Sequence, residues 1–285
     1  EEVALNQFSK GLADCRLAFI DRNRDLWVCP VVPAQGKGAA VTKHKLQTHV
    51  ASAAWNDNSD LLTALADGRL LTWYCPKAIS VDKDLLQLAS TSRDASEFGK
   101  TPRIRSFFGN KVTVRRADGA LLSAAVASYP AILYDLVQGQ RWEEAVRLCR
   151  LVKNEQLWAC MACMALTGSN LSLAEEALAA IKEVDKLEYV QHIQKIPSEE
   201  GRNAELALYR RCPEEAEAIL LQASPPLTYR AIKLNIRLFR WSRALEVAVQ
   251  GRTHVDTVLG YRQRYLDRFG KQETDPRFLQ YAEQV

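Results

Sequence analysis

RWEEAVRLC, Arg141–Cys149, decides how this chain is read, because nearly the same phrase returns as RWSRALEVA, Arg240–Ala248. The two copies lie 99 residues apart, and Trp142, Ala145 and Leu148 match Trp241, Ala244 and Val247. Between them the small residue recurs as Ala177 and Ala216, at successive intervals of 32, 39 and 28. Four residues after these four alanines stand Cys149, Ile181, Leu220 and Ala248, all apolar. On a helix, positions four apart share a face. An alanine there lets a second helix approach closely, and a tryptophan three residues earlier fills the gap toward the next helix pair.

The spacing is that of the second helix of a tetratricopeptide-type hairpin. One hairpin cannot bury its apolar face, so repeated hairpins stack into a solenoid. From Pro130 onward glycines are rare and apolar residues recur at steps of three and four. Helices are predicted at Ala131–Gln138, Trp142–Val152, Gln156–Leu166, Leu173–Val184, Lys186–Lys195 and Asn203–Arg211. They continue at Glu214–Gln222, Tyr229–Phe239, Ser242–Val249, Val255–Phe269 and Arg277–Glu283. Ser172 with Glu175, Ser198, and Asp275 before Pro276 are the predicted caps. The alternative is an irregular helical bundle.

Before Tyr129 the pattern is different. CRLAFID (Cys15–Asp21), LWVCPV (Leu26–Val31), ASAAWN (Ala51–Asn56), LLTALA (Leu61–Ala66) and RLLTWYC (Arg69–Cys75) read as strands. RIRSFFG (Arg103–Gly109), KVTVRR (Lys111–Arg116) and ALLSAAV (Ala120–Val126) follow. Asp67–Gly68, Gly109–Asn110 and Asp118–Gly119 between them are hairpin turns. His49–Trp73 resembles one WD-repeat blade, with Tyr74 where that signature carries aspartate. A blade takes about 40–45 residues, so residues 1–127 hold about three, fewer than a closed ring of about four to eight. The expected fold is therefore β plus α: the C-terminal blades of an incomplete β-propeller in residues 1–127, then an α-helical tetratricopeptide-like solenoid in residues 128–285. The remaining blades are expected before Glu1, and a start without methionine agrees with that. A small self-contained β-domain is the alternative for the first segment.

Composition excludes several classes. The chain has 285 residues, 47% hydrophobic and 25% charged, with a net charge of +4. That is ordinary for a globular protein and is not the strongly basic balance of a nucleic-acid domain. No apolar run reaches the ~18 residues of a membrane span. Seven cysteines set among apolar residues read as free thiols rather than a disulfide framework.

Catalytic and metal signals are weak. Cys160 and Cys163 form a CxxC inside WACMACMAL, but no second thiol pair or histidine follows at ligand spacing. They read as helix core, with a zinc or thiol enzyme as the alternative. His44, His49, His192 and His254 are scattered, and His49 is expected to make a hydrogen bond within its blade. AQGKGAA (Ala34–Ala40) lacks the spacing of a phosphate loop and reads as a flexible connection. Glu143–Glu144, Glu175–Glu176 and Glu214–Glu215 sit at helix starts, where they complement the helix dipole. No catalytic, cofactor-binding or metal residue is assigned.

Charge is segregated. Ser172–Glu217 carries a net −5 and Thr228–Lys271 a net +7. Such asymmetry steers protein partners or self-association, or is a solvated helix surface. Tyr261, Arg262, Arg264, Tyr265 and Arg268 are the interaction candidates, since tyrosine and arginine dominate interface hot spots.

RDASEFGK (Arg93–Lys100), RRADGAL (Arg115–Leu121), WEEAVRLCRLVK (Trp142–Lys153) and THVDTVLGYRQRYLDRFGKQET (Thr253–Thr274) carry a family resemblance. They resemble the C-terminal part of the eighty-kilodalton WD-repeat subunit of intraflagellar transport complex B. The resemblance implies two propellers followed by a helical extension, of which this chain would hold the end of the second propeller and the extension. It implies a non-enzymatic scaffold subunit with no cofactor. Its partners would be other complex B subunits of the peripheral part, with self-association possible and with neither nucleic acid nor membrane insertion. Its place would be the cilium or flagellum, the basal body and the cytoplasm. A vesicle-coat or nuclear-pore type scaffold, which also joins propellers to solenoids, is the alternative.

Overall fold

The computed structural model describes residues 2–6, 8, 11, 15–32 and 42–283. The chain divides into two compact units, Glu1–Gln191 and His192–Val285.

In the first unit, strands pair antiparallel into three sheets. The first is β1 (Val3–Leu5), β2 (Arg16–Ile20), β3 (Leu26–Pro30) and β4 (His44–Gln47) in sequence order. The second is β5 (Val50–Trp55), β6 (Leu61–Ala66), β7 (Arg69–Tyr74) and β8 (Ser90–Asp94). The third is β9 (Arg103–Phe108), β10 (Lys111–Arg115) and β11 (Leu121–Ala125). The first strands β1, β5 and β9 lie beside one another, as they do at the centre of a propeller. These are propeller blades, as the strand pattern predicts.

The β6–β7 hairpin shows why the sequence turns where it does. Asp67 (φ 48°) and Gly68 (φ 69°) are both left-handed, the type I′ geometry that a two-residue loop needs to match strand twist. Leu61 to Ala66 are all buried, so β6 is covered on both faces. Trp73 is 6% exposed, and the Tyr74 hydroxyl is 3.2 Å from Thr91 Oγ1 on β8.

Among the described strands and α-helices, four are absent from the sequence reading: β1, β4, β8 and a short helix α1 (Lys83–Leu88) between β7 and β8. His49 is not bonded inside a blade as expected. It sits exposed in the β4–β5 turn, with a left-handed φ of 54°. The Ala34–Ala40 stretch lies outside the described residues.

Helices follow without interruption: α2 (Tyr129–Gln138), α3 (Trp142–Val152), α4 (Glu155–Thr167), α5 (Leu171–Ala180) and α6 (Val184–Gln194). The second unit holds α7 (Glu199–Tyr209), α8 (Pro213–Gln222), α9 (Thr228–Arg237), α10 (Trp241–Gln250), α11 (Val255–Arg268) and α12 (Pro276–Ala282).

Four hairpins, α2–α3, α4–α5, α7–α8 and α9–α10, share one turn. Its middle residue is left-handed and is never glycine: Gln140 (φ 58°), Ser169 (φ 55°), Arg211 (φ 60°) and Phe239 (φ 57°). The next residue donates its amide five residues back, Arg141 to Leu136, Asn170 to Ala165, Cys212 to Ala207 and Arg240 to Asn235, at 2.8–2.9 Å. Four residues after that amide stands a fully buried alanine: Ala145, Ala174, Ala216 and Ala244, each 0% exposed. The turn thus aligns Ala174, not Ala177, with the other three. Ala177 lies three residues further along the same buried face of α5.

The two tryptophans also occupy equivalent places. Trp142 begins α3, and its ring lies against the α4–α5 turn, 3.3 Å from where a side chain on Gly168 would begin. Trp241 begins α10 and lies tilted against Tyr265 of α11, with ring centroids 5.3 Å apart. Each reaches the following hairpin.

Two of the expected caps differ. Asn170, not Ser172, caps α5 by accepting from the Leu173 amide, and the Ser172 hydroxyl turns to the Asn170 side chain. Ser198 stands at the start of α7 without making a capping bond. Asp275 does cap α12, accepting from the Arg277 amide at 3.0 Å.

Candidate interaction surface

Helix α11 carries all five interaction candidates, and its pitch divides them between two faces. Arg262, Tyr265 and Phe269 follow at steps of three and four on one side, and Tyr261, Arg264 and Arg268 on the other.

The first face is built around rings. Left-handed Phe239 at the α9–α10 turn is thrown outward and is 62% exposed. It lies 6.2 Å from Trp241 and 5.4 Å from Tyr265, and Tyr265 lies 5.0 Å from Phe269. Tilted pairs at these distances are favourable for ring quadrupoles. The Arg262 guanidinium lies over the rings of Trp241 (5.6 Å), Tyr265 (6.0 Å) and buried Phe278 (5.4 Å). It also donates to Glu273 Oε2 at 2.7 Å. That bond holds the Glu273 carboxyl below its usual range and raises the already high pKa of the guanidinium. Arg262 is therefore an internal fastener, not a free surface cation.

Beside these rings opens a cleft of about 910 Å³, whose lining includes Glu217, Trp241, Arg243 and Phe278. Its floor is tied by Glu217, which is 8% exposed and accepts from Asn235 Nδ2 (2.7 Å) and Arg243 Nε (2.8 Å). Arg240 pairs with Glu214 at 2.7 Å. The cleft's cations are thus matched by carboxylates.

The second face is different. Lys233 on α9 donates to the Tyr261 hydroxyl at 2.6 Å and lies 4.1 Å from that ring's centroid. Arg237, Arg264 and Arg268 are exposed nearby. The Lys233 bond and the positive field of Lys233, Arg264 and Arg237 lower the phenol pKa from its usual value.

Cys160 and Cys163 lie in the first unit, on α4, at 1% and 0% exposure. α4 packs against α1 and against the 3-10 turn Pro76–Ser80. Burial pushes both thiols, and that of Cys75, well above the usual range. Buried Asp60 accepts from the Lys77 amide at 3.1 Å, and loss of hydration lifts its carboxyl to about 6. Among the described residues, no three His, Cys, Asp or Glu side chains are placed to hold a metal ion. No helix among them is long and apolar enough to cross a membrane.

Sequence reasoning missed Phe239, Phe269, Lys233 and Arg237. The first two could have been found as aromatics flanking Trp241 and Tyr265. The cations of α9 become informative only once α9 is known to lie beside α11.

Blades and repeated hairpins place the chain among proteins that join a β-propeller to a tetratricopeptide-type solenoid. Residues 1–129 match the family model "IFT80 second beta-propeller", and residues 157–285 match "IFT80/172/WDR35/WDR19 TPR domain". Along nearly its whole length the chain resembles intraflagellar transport protein 80. It is 50% identical over 283 residues to the rat protein named "Intraflagellar transport protein 80 homolog", and 49% identical over 283 residues to the mouse protein of that name. In both comparisons 99% of this chain is covered, and the chain spans 36% of the relative's length.

Proposed function

We propose that this chain is the propeller–solenoid part of a non-enzymatic scaffold subunit of intraflagellar transport complex B. It makes protein–protein contacts within the trains that assemble cilia and flagella. One observation carries the reading: 50% identity, across 99% of the chain, to a protein named for intraflagellar transport. The chemistry of the chain supports it. The thiols of Cys160 and Cys163 are buried with raised pKa values, opposite to a reactive nucleophile. The charges around the cleft are neutralised in pairs.

The division of labour follows the repeat. Residues 1–127 supply blades and residues 128–285 the solenoid. Trp142, Ala145, Ala177, Ala216, Trp241 and Ala244 hold hairpins together, while Tyr261, Arg264, Tyr265 and Arg268 face partners. Those partners are other complex B subunits of the peripheral part, with self-association as a second contact. The subunit works in the cilium or flagellum, at the basal body and in the cytoplasm, without nucleic acid and without entering a membrane.

A chimera tests this. In ciliated mouse cells lacking their intraflagellar transport protein 80 homologue, the matching third of that protein is replaced by this chain. Restored cilia and co-purification of complex B subunits are expected. A stable, well-expressed chimera that neither restores cilia nor binds complex B would overturn the reading.

A further inference from the structure

The second face of α11 holds cations that no carboxylate neutralises, unlike the cleft-lining Arg240, Arg243 and Arg262. Arg210, Arg240, Arg243 and Arg262 pair with Glu215, Glu214, Glu217 and Glu273. Among the described residues, no carboxylate lies within ion-pair distance of Lys233, Arg237, Arg264 or Arg268. Lys233 and Arg237 are four apart on α9, and Tyr261, Arg264 and Arg268 are three and four apart on α11. α9 and α11 are neighbours, so the two rows form one basic strip.

Tyr261 gives the strip a direction. Its oxygen accepts from Lys233 Nζ, so its own O–H is left to donate outward. The strip then offers an ammonium, guanidinium forks and a phenol donor. Guanidinium forks suit planar carboxylates, which they bind through two parallel bonds.

We propose that this strip is a docking surface for an acidic segment of a partner protein, whose Glu or Asp side chains pair with Lys233, Arg237 and Arg264 while the Tyr261 hydroxyl donates to one of them. The proposal rests on the scaffold reading above and names the chemistry of one contact. A protein ligand fits better than nucleic acid for two reasons. The strip is short, and α11 also carries Asp256 and Asp267, which repel a continuous phosphate backbone. It also lacks the series of exposed rings on which bases stack.

The test uses the purified 285-residue chain and a fluorescein-labelled twelve-residue peptide of alternating Glu and Ser, with a Gln-for-Glu peptide and a twelve-nucleotide oligo-dT as controls. The Glu peptide is expected to bind saturably and more weakly as salt rises, and the Gln peptide not at all. Lys233→Glu and Arg264→Glu should each weaken binding by about tenfold, and Tyr261→Phe by about threefold. Arg240→Gln, which removes a cation already paired with Glu214, should change it by less than about twofold. Unfolding temperature is read for each variant, and Tyr261→Phe serves if a charge reversal unfolds the chain. Peptide affinity unchanged in both reversals, or oligo-dT binding more tightly to the same residues, overturns the docking surface. If complex B subunits still co-purify with those reversals, the scaffold reading survives that failure. If the unaltered chain binds no complex B subunit, the scaffold reading itself has failed.

Discussion

Lys186 Nζ of α6 lies 3.0 Å from Asp82 Oδ2, the carboxylate that caps α1 between two strands of the second blade. Both side chains are largely covered, at 16% and 11% exposure. Burial opposes the ammonium charge, but Asp82 and Glu183 more than offset it and raise its pKa. A helix of the extension is thus fastened to a blade within one compact unit.

Removing one partner of such a pair strands the other. Lys186→Met should cost about 2 kcal/mol of unfolding free energy. With Asp82→Asn, which keeps an oxygen for the cap, a double-mutant cycle should show coupling of about 1 kcal/mol or more. Strict additivity in chemical denaturation would mean that the contact is absent in solution.

Asp60 predicts a pH dependence. Its carboxyl titrates near 6 in the folded chain against an ordinary value of 3.8. The folded state therefore holds its proton more tightly than the unfolded state. The resulting stability is fully present below pH ~4, is lost as pH rises toward ~6, and stays lost above. The difference is on the order of 3 kcal/mol. Asp60→Asn keeps a carbonyl for the Lys77 amide and has no proton to lose. Measured against the unaltered chain, it should gain stability between pH 4 and 6 and remain ahead at pH 8. Parallel stability curves for the two proteins across that window would refute the buried carboxyl.

Gly201 sets helix propensity against packing. Alanine in a helix is favoured over glycine by about 1 kcal/mol. A Cβ at Gly201, however, would lie 2.5 Å from Arg230 Nη1 and Ser198 Oγ and 2.8 Å from Ile196 Cγ2. The arginine can swing aside, but Ile196 is 8% exposed and held. Gly201→Ala should therefore lower stability by about 1–2 kcal/mol. A rise in melting temperature would show that the α7 start is looser than this.

The shared turn makes a parallel set of tests. Ala145→Trp, Ala174→Trp and Ala244→Trp each place a large ring where no room exists, and each should cost about 1–3 kcal/mol or more. Unchanged thermal unfolding in all three would contradict the common hairpin geometry.

Much of this fold is legible because its signals are local. Leu61–Ala66 and Trp142–Val152 coincide with the observed strand and helix, since a short apolar run between turns and three-four spacing need no partner to be recognised. β8 could not be found that way. Its sequence STSRD has no apolar alternation, and it becomes a strand by pairing with β7. β4, HKLQ, is likewise an outer strand defined by its neighbour β3. The alanine register is subtler: spacing alone suggests Ala177, whereas an amide bond reaching five residues back fixes Ala174.

The candidate surface divides in the same way. That tyrosines and arginines crowd α11, and that acidic and basic stretches are separated, is written in the chain itself, because composition and periodicity are properties of neighbouring residues. Their roles come from packing. Arg262 and Arg264 are two residues apart, yet one is bound to Glu273 over three rings and the other points to solvent beside Lys233 and Tyr261. The physical reason is that a helix turns about 100° per residue. Adjacent side chains therefore meet different neighbours, and what those neighbours are is set by packing between distant segments.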